Sequence, residues 1–511
     1  MKVSATWFGV GIVVIILIVV WYGWRLVNWV WLRPKKMEKY LREQGLKGTS
    51  YKFLYGDMKE MAKMLKEAKN SGPMNLTNDI VTRIKPFVHK YVTAYGKNCT
   101  FTWLGPAPLV HITEPTMIKE ILANYNQFRK STGGNPFIKL LARGIIGTEG
   151  DRWVKHRKII NPTFHVEKLK HMVPAFYTSC AEMIKQWEEK LKKEGSCEVD
   201  VWPYLQTLTG DVISRTAFGS SFEEGKRIFE LQKELEDLVI EAVQSFYIPG
   251  LKIKEIEREV NVSIKSMIDK RMIAMKDGKS SQDDLLGVLL DSNCKEIRRG
   301  SSTFGLSIEE VIEECKLFYV AGQETTRNLL VWTMILLGQH TNWQASARDE
   351  VSFVFGKEKP NIDGLNRLKT LNMIFNEVLR LYPPVVTLGR MVHEDTTLGN
   401  IILPGGCFLY LQILLMHHDE EIWGGDAKEF KPERFSQGVS NATKGQLSYI
   451  PFGGGPRICI AQNFAFLEAK MALAMILQNF SFDLSPSYSH APQIIVTLQP
   501  QFGAHLILHK L

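Results

Sequence analysis

The sequence predicts a mainly α-helical fold with small β-sheets, preceded by one N-terminal transmembrane helix. Three observations predict it. Residues 3–24 carry no charged side chain, a length sufficient to cross a bilayer as one helix. Ser307-Ile308-Glu309-Glu310 reads as a capping box, and the apolar run behind it continues to about Gly338, which marks a long internal helix. Strand-like stretches are few, short and joined by Gly-Pro or Gly-Asn pairs, as in small hairpins rather than one large sheet.

The N-terminal run contains Ile12 to Val20, almost purely aliphatic, and is followed by Trp21, Tyr22, Trp24, Trp29 and Trp31 where an interfacial aromatic belt would lie. Arg25, Arg33, Lys35 and Lys36 come next, so the positive-inside rule places everything downstream in the cytosol. No small-x-small cleavage pattern follows the apolar run, which favours a retained anchor over a cleaved signal peptide. Pro34 is expected to end the anchor helix. Residues 1–33 are therefore read as the membrane anchor with the start of its linker, and residues 34–511 as one catalytic domain, because no repeat, low-complexity tract or flexible linker divides them.

Phe101-Thr102-Trp103-Leu104 and Leu109-Val110-His111-Ile112 read as two strands joined through Gly105-Pro106. A glycine-rich stretch from Ser131 to Gly150 precedes a helix in which Trp153 and Arg157, four apart, share a face. Alone, that pattern is an ordinary amphipathic helix. Helical segments fill roughly 165–295, Asp283-Asp284-Leu285-Leu286 opening one of the last. Within the capped helix lies Ala321-Gly322-Gln323-Glu324-Thr325-Thr326. Small side chains at Ala321 and Gly322 leave room for a flat cofactor, and a threonine hydroxyl can bond the carbonyl four residues back and open the helix locally. Glu324 beside Thr325 supplies an acid and an alcohol for proton delivery. Polar residues amid such apolar flanks are costly unless used.

Glu377-Val378-Leu379-Arg380 is weak by itself; Glu296 and Arg299 show the same spacing and read as a solvated pair. Leu381-Tyr382-Pro383-Pro384 then ends the helix, and Pro432-Glu433-Arg434-Phe435 follows later. Val385-Val386-Thr387-Leu388 reads as a strand ending near Arg390, Thr396 to Pro404 as a hairpin turning at Gly399-Asn400, and the alternating Ile494, Val496, Leu498 and Gly503, His505, Ile507 as a last hairpin about Pro500-Gln501.

The net charge of +9 is spread along the chain, without the aromatic interleaving of a nucleic-acid binder, and suits a membrane surface or an acidic partner. Seven scattered cysteines make no disulfide framework and suit a reducing compartment. Asn98, Asn261 and Asn441 stand in glycosylation sequons that a cytosolic domain would leave unused.

One cysteine stands apart. Phe452-Gly453-Gly454-Gly455-Pro456-Arg457-Ile458-Cys459-Ile460-Ala461 sets Cys459 behind a glycine turn and just before a helix-like run from Gln462. Unpaired N–H groups and the dipole there favour thiolate. Glycines let the backbone approach a flat, bulky group. Arg457 offers a fixed charge for a carboxylate such as a haem propionate, and Phe452 would shield the sulfur from water. The arrangement reads as an axial ligand to haem iron; a merely buried cysteine is the plainer alternative, and zinc is weaker because no C-x-x-C pair occurs.

This constellation resembles the haem-binding signature of the cytochrome P-450 family, with Ala461 where glycine is expected. The A-G-Q-E-T-T, W-x-x-x-R, E-x-x-R and P-E-R-F motifs stand in family order, so the resemblance spans essentially the whole chain. The wording Gln323-Glu324-Thr325-Thr326, Asn441-Ala442-Thr443-Lys444 and Gln462-Asn463-Phe464-Ala465 is similar to the plant seventy-two clan, which includes secologanin synthase and triterpenoid oxidases. Gly454, in place of that group's tryptophan, and a short segment after Pro249-Gly250 depart from it. The resemblance implies the cytochrome P-450 fold and a haem-thiolate monooxygenase. Cys459 would hold the iron of haem b (iron-protoporphyrin IX), with Trp153, Arg157, Arg390 and Arg457 on propionates and Ala321 and Gly322 against the ring. Thr325 and Glu324 would deliver protons. Glu377, Arg380 and Arg434 would form a structural charge network. Val385, Val386, Thr387, Leu388 and Leu498, with the loop Ser131 to Ile146, would face a small hydrophobic substrate. O2 and NADPH would be co-substrates, through NADPH-cytochrome P-450 reductase docking on Lys155, Lys158 and Lys428. The expected location is the endoplasmic reticulum membrane, single-pass. A pentacyclic triterpenoid is the first substrate expected and an iridoid glucoside the second. The hydroperoxide-rearranging branch fits less well, given Thr325. A non-catalytic, membrane-tethered binder of steroid-like ligands is the alternative of another class.

Overall fold

The computed structural model describes residues 2–97, 100–130, 143–191, 195–245, 250–277, 284–299 and 305–511. The sequon at Asn98, most of the Ser131 to Ile146 loop, Pro249 and Asp283 lie outside the described residues, as do the side chains of Glu296 and Arg299.

Among the described residues one helix is long and apolar enough to cross a membrane. It runs Lys2–Val27, passes through a π-helical turn, Asn28–Leu32, and continues as Arg33–Glu43. Pro34 does not end it. It sits in the first turn of the Arg33–Glu43 segment, where a missing N–H and a fixed φ cost little, and the wide turn before it absorbs the ring.

The chain forms two compact units. The first gathers residues 1–70, 81–131 and 387–412. Its five-stranded sheet runs Thr100–Leu104, Ala107–Ile112, Phe408–Leu411, Leu388–Val392, Phe128–Arg129. Leu104 pairs with Ala107, so Gly105-Pro106 makes a tight hairpin. The next neighbour, Phe408–Leu411, is parallel. A separate hairpin joins Thr396–Leu398 to Ile401–Leu403 about Gly399-Asn400. The strand expected from Val385 to near Arg390 starts only at Leu388 and runs on to Val392, because its ladder partner is Phe408–Leu411.

The second unit comprises residues 71–80, 132–386 and 413–511. Its axis is the Ile308–Gln339 helix, opened by the capping box that Ser307 and Glu310 form reciprocally. Every one of its residues from Leu329 to Gly338 is buried. Helices Trp202–Phe218, Lys369–Leu381 and Gln462–Asn479 pack around it. The C-terminal strands pair differently from the alternation's first suggestion. Pro492–Ile494 pairs with Leu498–Pro500, while His505–Lys510 joins Ser196–Asp200 and Phe480–Leu484. The turn therefore falls at 495–497, where Thr497 is held by Asn328 and Glu324, not at Pro500-Gln501. Apolar alternation fixes which face is buried but leaves the partner open.

Candidate active site

The Ile308–Gln339 helix runs unbroken, but side-chain hydroxyls share the carbonyls of one of its turns. Thr325 donates its hydroxyl to the Ala321 carbonyl at 2.8 Å, and the Gln323 carbonyl accepts from Thr209 of the Trp202–Phe218 helix at 3.1 Å. Side-chain hydroxyls thus engage two carbonyls of this turn, which loosens the ladder there. Gly322 has a different reason from the one expected. A Cβ on it would meet Ile213 at 2.8 Å, so its lack of a side chain serves helix–helix packing rather than room for a cofactor.

Glu324 is an anchored carboxylate. Arg327 grips both of its oxygens at 2.7 Å, and Thr497 donates to it at 3.0 Å. Arg327 in turn lies over the Trp202 ring, 4.0 Å from its centroid, and bonds Gln499 at 3.1 Å. Glu236, on the Phe222–Ser245 helix, is a second acid in the same field. Burial, and then the charge of Glu324, push its carboxyl up to about 8, so it carries a proton at neutral pH.

The cysteine loop is built on two left-handed glycines, Gly453 (φ 73) and Gly455 (φ 65); a side chain at either would be strained. Gly454 (φ −166) and Ala461 (φ −102) have backbones open to any residue, so both departures from the family wording are free of strain. Cys459 donates its N–H to the Phe452 carbonyl at 2.9 Å, and the Phe452 ring rests 5.5 Å from that of Phe466. Cys459 is exposed to solvent, yet burial pushes its thiol up, against the opposing pull of the Ala461 N–H and the Arg157 charge.

Cations and an indole converge beside it. Arg157, on the Gly150–Ile160 helix, donates to the Ile458 carbonyl at 2.8 Å. Arg457 lies over the Trp153 ring, 4.5 Å from its centroid, and is bonded to the Thr148 carbonyl at 3.1 Å and to Glu149 at 2.6 Å. This donor set fits a haem: one soft sulfur with a backbone N–H aimed at it, behind a turn that only glycines can make, with arginines for carboxylates. A coordinating metal would deprotonate the thiol that burial alone keeps neutral.

Glu377 and Arg380 are fully buried and paired at 2.7 and 2.8 Å. Arg380 also donates to the carbonyls of His417, Ala427 and Glu429, and Arg434 approaches Glu377 to 3.6 Å while bonding the Trp423 and Asp426 carbonyls. Of the residues expected to face substrate, Val385 is half-buried and Val386 and Leu498 are buried in the second unit. Thr387, Leu388 and Arg390 belong to the first. There Thr387 bonds Gln412 at 3.2 Å, and Gln412 reaches His111, which Thr102 also contacts. Burial, then Lys85, drive the His111 imidazole down to about 3, so it stays neutral. Two of the lysines expected to meet an acidic partner are already engaged: Lys155 with Glu310, and Lys428 with Asp79 and Glu420.

Besides Glu236 and Arg327, two acids and a base went unread in the sequence. His156 is buried and pairs with Glu314, also buried, tying the Gly150–Ile160 helix to the long one. The i, i+3 step from Trp153 was its only signal. Glu468, on the Gln462–Asn479 helix, is buried with both carboxyl oxygens lacking a hydrogen bond of good geometry among the described residues. Burial pushes its carboxyl well above the ordinary 4.5, against a smaller opposite pull from Thr326. Because the folded state holds a proton that the unfolded state releases above 4.5, this group makes stability fall as pH rises from there. Glu468→Gln, neutral throughout, is expected to remove that slope. Its thermal midpoint should exceed the parent's near neutral pH and converge with it in acid, as followed by circular dichroism across pH.

Fold and site together define a haem-thiolate protein. The chain matches the cytochrome P450 family over residues 75–502 and belongs to it. It is similar along nearly its whole length to cytochrome P450 CYP72A219 of Panax ginseng, 60% identical over 97% of both chains. Cytochrome P450 72A397 of Kalopanax septemlobus is 55% identical over 96% of each. Cytochrome P450 72A15 of Arabidopsis thaliana is 51% identical over 98% of this chain and 99% of that one. The enzyme is a cytochrome P450 monooxygenase.

Proposed function

We propose that this monooxygenase inserts one oxygen atom of O2 into a C–H bond of a pentacyclic triterpenoid, with electrons from NADPH through NADPH-cytochrome P-450 reductase. The observation that carries the reading is near-full-length similarity to relatives designated 72A, joined to the seventy-two clan wording around Thr325 and Cys459. The apolar anchor supports a single-pass site in the endoplasmic reticulum membrane, with the catalytic domain cytosolic.

Haem b, when bound, supplies oxygen activation; Cys459 would hold its iron, with Phe452 guarding the sulfur. Trp153, Arg157, Arg390 and Arg457 would hold the propionates, Arg457 after exchanging Glu149 for one of them. Ala321 would lie against the ring. Thr325 would pass protons at its hydroxyl, with Glu324 as their source once Arg327 loosens its grip. Val385, Val386, Thr387, Leu388 and Leu498 would shape the substrate's berth, and Glu377, Arg380 and Arg434 would keep the cysteine side rigid. Basic residues such as Lys158 would meet an acidic reductase surface, making that encounter salt-sensitive.

Microsomes containing the enzyme and reductase, fed triterpenoids and iridoid glucosides with NADPH and analysed by mass spectrometry, test the reading. An NADPH-dependent triterpenoid product gaining one oxygen is expected. Conversion of the iridoid glucoside alone would replace the substrate class, and ligand-induced spectral change without NADPH consumption would point to a binder.

A further inference from the structure

The two arginines beside Cys459 stand in different electrostatic surroundings. Arg157 donates to the Ile458 carbonyl at 2.8 Å and meets no carboxylate among the described residues. Arg457 is spent on its own chain. Both of its terminal nitrogens donate to the Thr148 carbonyl at 3.1 Å, and one of them donates also to Glu149 at 2.6 Å. The Trp153 ring covers the guanidinium with its centroid 4.5 Å away. The side chain of Arg457 is 2% exposed and that of Glu149 22%, so little water screens the pair, and its charges act strongly on whatever lies alongside.

Glu149 stands where its carboxylate has a nearer use. It is the N-cap of the Gly150–Ile160 helix, and its carbonyl accepts the Trp153 N–H at 3.3 Å. N-cap side chains ordinarily turn in to the N–H groups of the first helical turn, yet the Glu149 side chain makes no such bond. It reaches Arg457 instead, 308 residues further on. The helix it opens is the one that carries Trp153 and Arg157, so the carboxylate comes from the same element as the other donors expected to hold propionates. A propionate drawn to Arg457 therefore meets a carboxylate already on the fork. Two carboxylates at one guanidinium repel each other and divide its N–H groups.

We propose that Glu149 is the chain's own rival to a haem propionate at Arg457, a positioning residue that acts through that arginine to weaken its hold on haem and to lower the reduction potential. The proposal rests on the propionate role given to Arg457 above. The test uses the full-length holoenzyme in phosphatidylcholine nanodiscs. Haem transfer to excess apomyoglobin is followed by absorbance, and the ferric–ferrous midpoint by spectroelectrochemistry. Glu149→Gln keeps the shape and removes the charge, and Glu149→Ala removes the arm as well. In both, transfer should slow by roughly tenfold, the scale of one hydrogen bond to a charged group. The midpoint should move to more positive values, because a nearby carboxylate favours the ferric state. Pairing either change with Arg457→Gln should abolish both effects. Faster transfer from Glu149→Gln would make Glu149 a mere fastener of Arg457 and overturn the rivalry, as would a transfer rate and midpoint equal to the parent's. Equal transfer from the parent and from Arg457→Gln would overturn the propionate role of Arg457, and the rivalry with it.

Discussion

Arg380→Ala is expected to give a chain that fails to load haem and unfolds at a much lower temperature. The guanidinium is fully buried, forked onto Glu377 and bonded to three carbonyls that lie 37, 47 and 49 residues further on, and it lies 5.1 Å from the Trp423 ring centroid. Removing it strips those carbonyls of their donor and, among the described residues, leaves Glu377 with Arg434 and the Lys431 N–H for partners. Breaking a buried pair of this kind costs about 3–5 kcal/mol, a large part of the roughly 5–15 kcal/mol that holds a typical domain together. Arg380→Lys should recover little, since an ammonium keeps the charge but cannot fork. Soret absorbance per polypeptide and thermal unfolding read the effect. A variant with normal haem content and midpoint would show that the network holds nothing.

The second large effect concerns chemistry and leaves the fold in place. Thr325→Ala removes the hydroxyl bonded to the Ala321 carbonyl and is expected to leave haem content and expression unchanged. Product formed per NADPH should drop steeply, with the balance appearing as hydrogen peroxide. Positioned acid–base groups contribute about 10²–10⁴-fold, and a water standing in for the lost hydroxyl would keep the loss near the lower end. Thr325→Ser, which restores a hydroxyl, should recover much of the coupling. Equal coupling in parent and Thr325→Ala would remove Thr325 from proton handling.

Local chemistry was legible in the sequence wherever it is decided within a few residues. Gly399-Asn400, Gly105-Pro106 and the Ser307/Glu310 box are of this kind, because turn and cap geometry are set by the residues themselves. The cysteine loop was legible for the same reason. What the sequence did not show depends on partners far along the chain. Alternation at 494–498 could not say which strand would pair, and Arg380 gave no sign of the carbonyls at 417, 427 and 429. Glu468 reads as a solvated helix acid until tertiary packing closes over it. Gly322 looked like space for a cofactor, and only the neighbouring helix reveals Ile213 in that space. Pro34 reads as a helix terminator, but its first-turn position let the helix pass.

The most direct measurement is made on the intact enzyme, reduced and exposed to carbon monoxide. If the Cys459 sulfur binds haem iron as an anion, the Soret band shifts far to the red, as sulfur ligation requires, and Cys459→His loses that shift while still retaining haem. Haem bound in full measure by the parent protein, without that band even in fresh preparations, would contradict the account.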